Sequence, residues 1–152
     1  MHEDAFDEKS MDHIYAIPVG FWARLGGLLI DGLIFSIPLG FVGLLIFGEW
    51  NGNKVWSYSV DALSYLYMIF LPLLWGGRTL GKKAIGARII RVNGEPLGIG
   101  TMLLRTIVSN ILYAITFGIG ALISAIMVGV RDDKRSIHDF IAGTQVVADS
   151  DR

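Results

Sequence analysis

The sequence predicts an all-α membrane protein: a small transmembrane helical bundle with two full spans, a long kinked or re-entrant third apolar segment, and a short cytoplasmic β pair. Two observations support this class. Of the 152 residues, 53% are hydrophobic and 18% are charged, whereas a typical soluble domain has about 45–50% apolar and 25% charged residues. In addition, the apolar residues are concentrated in long runs, which are separated by polar segments with turn signals.

Composition also narrows the function. The net charge of −1 argues against nucleic-acid binding, which requires a basic footprint. The chain has no cysteine, so it has no disulfide framework, thiolate chemistry or cysteine-based metal site. Its three histidines, His2, His13 and His138, lack the spacing of metal ligands. We therefore expect no enzyme activity, no metal site and no cofactor.

The first helix is predicted over residues 20–47, after a flexible acidic N-terminal tail of residues 1–19. At 1.5 Å per residue its 28 residues reach about 42 Å, enough for a tilted span. The acidic tail differs from the positive start of a secretory signal. The first apolar run is therefore expected to remain as a membrane anchor.

A short loop, residues 48–58, separates this helix from a second, predicted over residues 59–75. The second run is close to the lower limit of about 17 residues for a span. The segment 76–100 then holds five of the thirteen Lys and Arg residues. Because basic loops stay in the cytoplasm, this segment and the N-terminus are predicted to be cytoplasmic. Within it, residues 87–92 are typical of a strand that ends at the turn Asn93-Gly94.

The third apolar stretch, residues 101–130, is interrupted by Thr-Phe-Gly-Ile-Gly at 116–120. Two full spans need about 40 residues, so thirty are too few. One kinked span would place the basic residues after it outside, whereas a bent or re-entrant pair keeps them inside. The bent pair is favoured, because it lets strand 87–92 pair with a second strand at 144–148. Before that strand, Ser136 and Asp139 form a capping-box pattern.

Asp31 is the most informative residue, because it interrupts an apolar run long enough to cross a bilayer. A carboxylate at membrane depth costs roughly 2.5–3.5 kcal/mol on insertion scales. One interpretation is a site that binds or exchanges a proton or a small cation. The alternatives are a hydrogen-bonded or ion-paired anchor for helix packing, and a water-exposed position.

Several polar residues are candidates to act with Asp31. Arg24 lies seven residues earlier, on the same helical face, where its field favours an ionised Asp31. Arg105 is predicted either to pair with Asp31 or to bind anionic headgroups at the interface. Ser109 and Asn110 are candidate neutral ion ligands. They lie on or beside a polar stripe in the third apolar stretch: Thr106, Asn110, Tyr113, Gly120 and Ser124.

Two further patterns favour structural roles. Gly32, Ser36 and Gly40 recur every four residues, which allows close helix approach in lipid. Their partner is predicted to be either another helix of the chain or a second subunit. Asp61 is interpreted as a solvated charge at a helix end, with an ion ligand as the alternative.

Three motifs in order resemble the RDD family of small bacterial and archaeal membrane proteins. They are Gly20-Phe21-Trp22-Ala23-Arg24-Leu25 with Asp31-Gly32, then Gly77-Arg78-Thr79-Leu80-Gly81-Lys82 with Gly86, Arg88, Ile89 and Ile90, and Lys134-Arg135-Ser136-Ile137-His138-Asp139 with Ala142-Gly143-Thr144. The resemblance implies a membrane domain over residues 20–148 and a C-terminal tail at 149–152. It also implies that Arg24, Asp31 and Asp139 are the arginine and two aspartates for which the family is named.

The resemblance implies an ion-coupled transporter, since some members have been proposed to exchange Na⁺ or other monovalent cations for H⁺. We accordingly expect a homo-oligomer in the cell membrane, the inner or plasma membrane of a prokaryote, with Asp31 titrating during exchange of Na⁺, K⁺ or Li⁺ for H⁺. The alternative is a non-transporting membrane scaffold or accessory subunit that binds lipids or a protein partner.

Overall fold

Two long helices lie in the N-terminal half of the computed structural model, which describes residues 16–149. Helix α1 spans Phe21–Phe47 and helix α2 spans Lys54–Leu74. Both are long and apolar enough to cross a bilayer. The two full spans predicted from the sequence are therefore present.

The ends of these helices follow from local signals. Helix α1 ends at Gly48, whose φ of 74° lets its N–H bond to Leu44 O at 2.9 Å. Helix α2 begins five residues earlier than predicted, because the Asn53 side chain accepts a hydrogen bond from Trp56 N–H at 2.9 Å. The predicted loop 48–58 is correspondingly shorter, since an N-cap of this kind stabilises the first turn of a helix.

The basic segment 76–100 contains a short helix, α3 (Leu80–Ala84), which the sequence does not predict, and strand β1 (Ala87–Arg91). Helix α3 begins at an N-cap formed by Thr79, whose hydroxyl accepts from Lys82 N–H at 3.2 Å. Gly77, with a φ of 85°, makes the turn that brings this segment back onto β1, where Ile89 N–H bonds to Gly77 O at 2.7 Å.

The third apolar stretch is a bent pair of helices. Helix α4 (Ile99–Leu103) continues through a π-helical turn (Leu104–Val108) into α5 (Ser109–Ile115). Helix α6 (Ile119–Val130) follows after a break and is inclined at 120° to the first part. Phe117 and Gly118 both have positive φ, 51° and 83°. The predicted bend is therefore confirmed.

The C-terminal segment returns to β1. Helix α7 (Ile137–Ala142) has the predicted capping box of Ser136 and Asp139. Strand β2 (Thr144–Ala148) follows and pairs antiparallel with β1, Ala87 opposite Ala148. Helices α4–α6 follow β1 in the chain, and the segment after them returns as β2 to pair with β1. The bent segment therefore begins and ends on the same side of the molecule, as in a re-entrant pair.

Residues 17–19 also belong to this sheet region. Pro18 forms a bridge with Val147, and Val19 N–H bonds to Val146 O at 3.0 Å. The prediction of a flexible tail over residues 1–19 is therefore wrong for residues 17–19, which are bound to β2. Residues 1–15 lie outside the described residues. Of the predicted tail 149–152, residues 150–152 lie outside as well, while Asp149 bonds to Gly86 and Arg78.

The buried core sits beside the sheet rather than in the middle of the spans. It is formed by Ile69 of α2, Ala87 and Ile89 of β1, Met102 of α4, and Val146 of β2. Helix α1 instead leaves many leucine, isoleucine and phenylalanine side chains exposed, as expected for a surface covered by lipid. The core thus fixes the sheet against the ends of the spans, where the polar clusters lie.

The small-residue ladder on α1 does not pack against another helix within residues 16–149. Gly32 and Ser36 are exposed, and a Cβ at Gly32 would meet no atom within 4 Å. Gly40 is buried, but the side chain that covers it is Trp50, in the loop after α1. An intrachain helix partner for the ladder is therefore wrong, and a contact with a second subunit stays a prediction.

Candidate functional site

Asp31 is buried, with 1% of its surface exposed, and accepts three hydrogen bonds. Its Oδ1 accepts from the Tyr67 hydroxyl and from Gly81 N–H, both at 2.7 Å. Its Oδ2 accepts from the Thr79 hydroxyl at 2.6 Å. Tyr67 lies on α2, and the other two donors lie at the start of α3. Asp31 therefore joins α1, α2 and α3 through neutral donors.

The same cluster satisfies the first turn of α3. The Tyr67 hydroxyl accepts from Leu80 N–H at 2.9 Å, and the Thr79 hydroxyl accepts from Lys82 N–H. The first backbone N–H groups of a helix have no partner within the helix, and an anion near them is stabilising. Asp31 acts here as that anion, directly on Gly81 and indirectly through the two hydroxyls.

Close packing of α1 on α3 places Asp31 within reach of these donors. A Cβ at Gly81 would overlap the carbonyl oxygen of Gly27 and lie 2.7 Å from Asp31 Cγ. A Cβ at Gly27 would lie 3.0 Å from the end of the Ile85 side chain. The glycines that allow close packing are therefore Gly27 and Gly81. The sequence pattern had indicated a different set, Gly32, Ser36 and Gly40.

A second buried carboxylate, Asp139, lies on α7 and is 0% exposed. Its Oδ2 accepts from Arg24 Nη1 at 2.6 Å, and from Ser136 N–H and Oγ at 3.0 and 2.9 Å. Its Oδ1 accepts from Arg105 Nη1 and from the Thr144 hydroxyl at 3.3 Å. Asp139 thus pairs with two guanidinium groups at once and caps its own helix.

Arg24 also ties the N-terminal edge to this cluster. Its Nε donates to Val19 O at 2.9 Å and its Nη2 to Lys134 O at 2.5 Å. With Asp139, these bonds connect the start of α1, the segment before α7 and α7 itself. Arg24 is therefore a cross-link between the two ends of the domain.

Neither arginine is bonded to Asp31. The prediction that Arg105 pairs with Asp31 is wrong, because the π-helical turn that carries Arg105 packs against α7 and directs its side chain to Asp139. Arg24 shares α1 with Asp31, but its ion pair is likewise with Asp139. Ser109 and Asn110 are not among the hydrogen-bond partners of Asp31 either. Their role as ion ligands stays a prediction.

The remaining predicted polar residues lie apart from Asp31. Ser109 is buried and its Oγ has no hydrogen-bond partner within residues 16–149, whereas Asn110 is exposed. Tyr113 donates to Ser124 Oγ at 2.9 Å and lies 2.8 Å from His138 Nδ1. Asp61 is exposed, but it is the eighth residue of α2, so its prediction as a charge at a helix end is wrong. The polar stripe is thus used to attach α5 to α6 and α7.

The two arginines change the pKa values around them. Burial raises the pKa of Asp139, but the cations of Arg105 and Arg24 outweigh it and hold that pKa well below its usual range. Burial, followed by repulsion from Arg105, lowers the pKa of Lys82 to about 8 and that of His138 to about 3. At pH 7 Lys82 is therefore mostly charged and His138 is neutral.

A cavity of about 260 Å³ lies between α1, α3, α6 and α7. Its basic lining residues are Arg24, Lys82 and Arg105, and most of its remaining wall is apolar. Within residues 16–149, no group of three or more His, Asp or Glu side chains is placed to hold a metal ion. The cavity thus combines three basic side chains with a mostly apolar wall.

Sequence reasoning identified the two aspartates but missed the donors of Asp31, namely Tyr67, Thr79 and Gly81. Thr79 is a residue type that caps helices, but it is also common in loops, so it does not by itself mark the N-terminus of α3. Tyr67 has no specific signal either, since a tyrosine in an apolar helix is also typical of a membrane interface.

Comparison with known proteins gives a consistent result. The family model described as "RDD family" matches residues 18–143. The chain is 44% identical over 129 residues to "Uncharacterized protein YckC" of Bacillus subtilis (strain 168), covering 85% of this chain and 83% of that protein. It is 30% identical over 150 residues to "Uncharacterized membrane protein YteJ" of the same organism, covering 93% and 85%. No solved structure matches the chain.

Proposed function

The chain belongs to the RDD family, and from this membership and the geometry of its aspartates we propose that it is a non-transporting membrane scaffold or accessory subunit that binds lipids or a protein partner. The observation that carries the proposal is the hydrogen bonding of Asp31. All three of its bonds come from donors that hold α2 and α3 in place. The intramembrane charge is then part of the fold.

A monovalent cation exchanger is the second candidate. Hard cations are bound by oxygen atoms, and Asp31 has two hydroxyl oxygens beside it, those of Tyr67 and Thr79. Both hydroxyls, however, donate to Asp31 and accept from backbone N–H groups of α3. An exchanger would have to break these bonds in each cycle, and would need a homo-oligomer to enclose a pathway.

The orientation in the membrane is part of the proposal. We place the sheet, the basic segment 76–100 and the N-terminus in the cytoplasm of a prokaryotic cell, because basic segments stay on that side. Pairing of β1 with β2 supports a common side for residues 76–100 and 131–149. Labelling of a single cysteine introduced at Asn93, in a chain without native cysteine, tests the placement from either side.

Flux and stability measurements on Asp31→Asn separate the two candidates. The purified protein is reconstituted in liposomes with a pH gradient, and Na⁺, K⁺ or Li⁺ is added between pH 6 and 9. For the scaffold we expect no cation-dependent proton flux in the wild type, and a loss of about 2–3 kcal/mol of folding stability in the variant, because Asn turns an NH₂ group toward a donor.

The matched control is Asp61→Asn, which removes an exposed carboxylate from α2 and is expected to leave both flux and stability unchanged. Cation-dependent flux in the wild type that disappears in Asp31→Asn, with thermal melting unchanged, would refute the scaffold and establish the exchanger.

A further inference from the structure

The cavity between α1, α3, α6 and α7 has an excess of positive charge. Arg24, Lys82 and Arg105 line it, and its lining within residues 16–149 includes no Asp or Glu. Arg24 and Arg105 share one carboxylate, that of Asp139. The charge of the cavity is therefore only partly neutralised by the protein.

Among the three cations that line the cavity, Lys82 is the one without a partner within residues 16–149. Its side chain makes no hydrogen bond or ion pair with any of residues 16–149. The nearby Asp31 is already bonded to Tyr67, Thr79 and Gly81. A half-buried ammonium without a partner is costly, so an anionic ligand that reaches Lys82 would be stabilised.

The other walls of the cavity are apolar and lead to the surface. Leu25 and Val128 line it on α1 and α6, and Leu28 and Ala121 line it while remaining exposed. Helix α1 is a candidate membrane span, and α6 is part of the bent apolar pair. The apolar side of the cavity therefore reaches the surface between α1 and α6.

We propose that this cavity holds the headgroup of an anionic lipid, with the phosphate at Lys82, Arg24 and Arg105 and the acyl chains leaving between Leu28 and Ala121. The positive charge of the basic side chains is complementary to the anionic headgroup. The apolar residues at the opening are suited to contact with the acyl chains. The volume of about 260 Å³ is close to the smaller ligand sites, of about 300 Å³, and suits a headgroup better than a whole lipid. The inference rests on the lipid binding named in the proposed function and specifies its site and lipid class, and it holds whether or not the protein moves ions.

The test is calorimetric titration of the delipidated full-length protein, in a neutral detergent, with three probes. These are dioctanoyl phosphatidylglycerol, dioctanoyl phosphatidylcholine and inorganic phosphate. We expect phosphatidylglycerol to bind at least about 5-fold more tightly than phosphatidylcholine, since one basic residue contributes about 1 kcal/mol toward an anionic lipid. Inorganic phosphate should bind far more weakly than phosphatidylglycerol, because it lacks the chains.

Two pairs of variants locate the site. Lys82→Gln should weaken phosphatidylglycerol binding about 5-fold or more, whereas Lys83→Gln should not, because Lys83 is exposed and lies over the Trp75 ring at 4.5 Å. Ala121→Leu narrows the opening and should weaken binding of the lipid. Its control, Ala114→Leu, is exposed on α5 away from the cavity and should bind like the wild type.

Equal affinity for the two lipids would overturn the proposal. So would an unchanged affinity in both Lys82→Gln and Ala121→Leu, or binding of inorganic phosphate as tight as that of phosphatidylglycerol. If Lys82→Gln lowers the melting temperature, the Ala121→Leu and Ala114→Leu pair still decides the result.

Discussion

Asp31 and Asp139 are equally buried but are stabilised in different ways. Asp31, on a membrane-spanning helix, is surrounded by neutral donors: two hydroxyls and one backbone amide. Asp139, outside the spans, is paired with the guanidinium groups of Arg24 and Arg105. The first cluster joins α1, α2 and α3, and the second joins α1, the bent segment and α7.

This comparison divides three residues of the family-like motifs, Arg24, Asp31 and Asp139, between two clusters. Arg24 and Asp31 lie seven residues apart on the same helix, yet each belongs to a different cluster. Arg24 pairs with Asp139, 115 residues away in the sequence. The three residues therefore belong to two separate hydrogen-bonded clusters along α1 and do not meet at a single site.

The largest effect is expected from removing the charge of Asp139. Asp139→Asn leaves two buried guanidinium groups without a counter-ion, and losing one member of a buried pair costs about 3–5 kcal/mol. We expect a large fall in melting temperature, measured by circular dichroism in detergent. The control is Asp133→Asn, which removes an exposed pair with Arg131 and should change the melting temperature little. A loss no greater than that of Asp31→Asn would remove the distinction between the clusters.

An intermediate effect is expected at the contact between α1 and α3. Gly81→Ala would push a methyl group into the Gly27 carbonyl and toward Asp31, at a cost of about 1–3 kcal/mol for overpacking. Gly32→Ala, on the exposed face of α1 with no atom within 4 Å, should be neutral or slightly stabilising. If the two variants melt alike, the close packing of α1 on α3 is not what positions Asp31.

The smallest effect is expected from a single neutral donor to Asp31. Tyr67→Phe removes one hydrogen bond to the carboxylate and the acceptor for Leu80 N–H, a loss of about 1.5 kcal/mol. Tyr65→Phe, on the exposed side of the same helix, is the control and should melt like the wild type. A loss as large as that of Asp139→Asn would mean that Asp31 depends on Tyr67 as strongly as Asp139 depends on its arginines.

Much of the fold could be predicted from local patterns. The length of α1, the bend near Gly118, the capping box before α7 and the pairing of the two strands all follow from apolar runs, glycines and turn residues. The start of α2 and the short helix α3 could not, because each depends on one capping side chain, Asn53 or Thr79. Such a side chain is equally common in a loop.

Although Asp139 was expected only from its capping box and the family resemblance, the sequence by itself determined that the chain enters a membrane and that Asp31 interrupts an apolar run. Both properties depend on the cost of placing charge among apolar residues, which is visible in the order of residues. Only the tertiary structure decided which groups stabilise each carboxylate. Apart from Ser136 and Thr144, which lie close to Asp139 in the sequence, their donors come from positions 34 to 115 residues away. Contacts at that separation are set by how α1 packs on α3 and how the bent segment returns to the sheet.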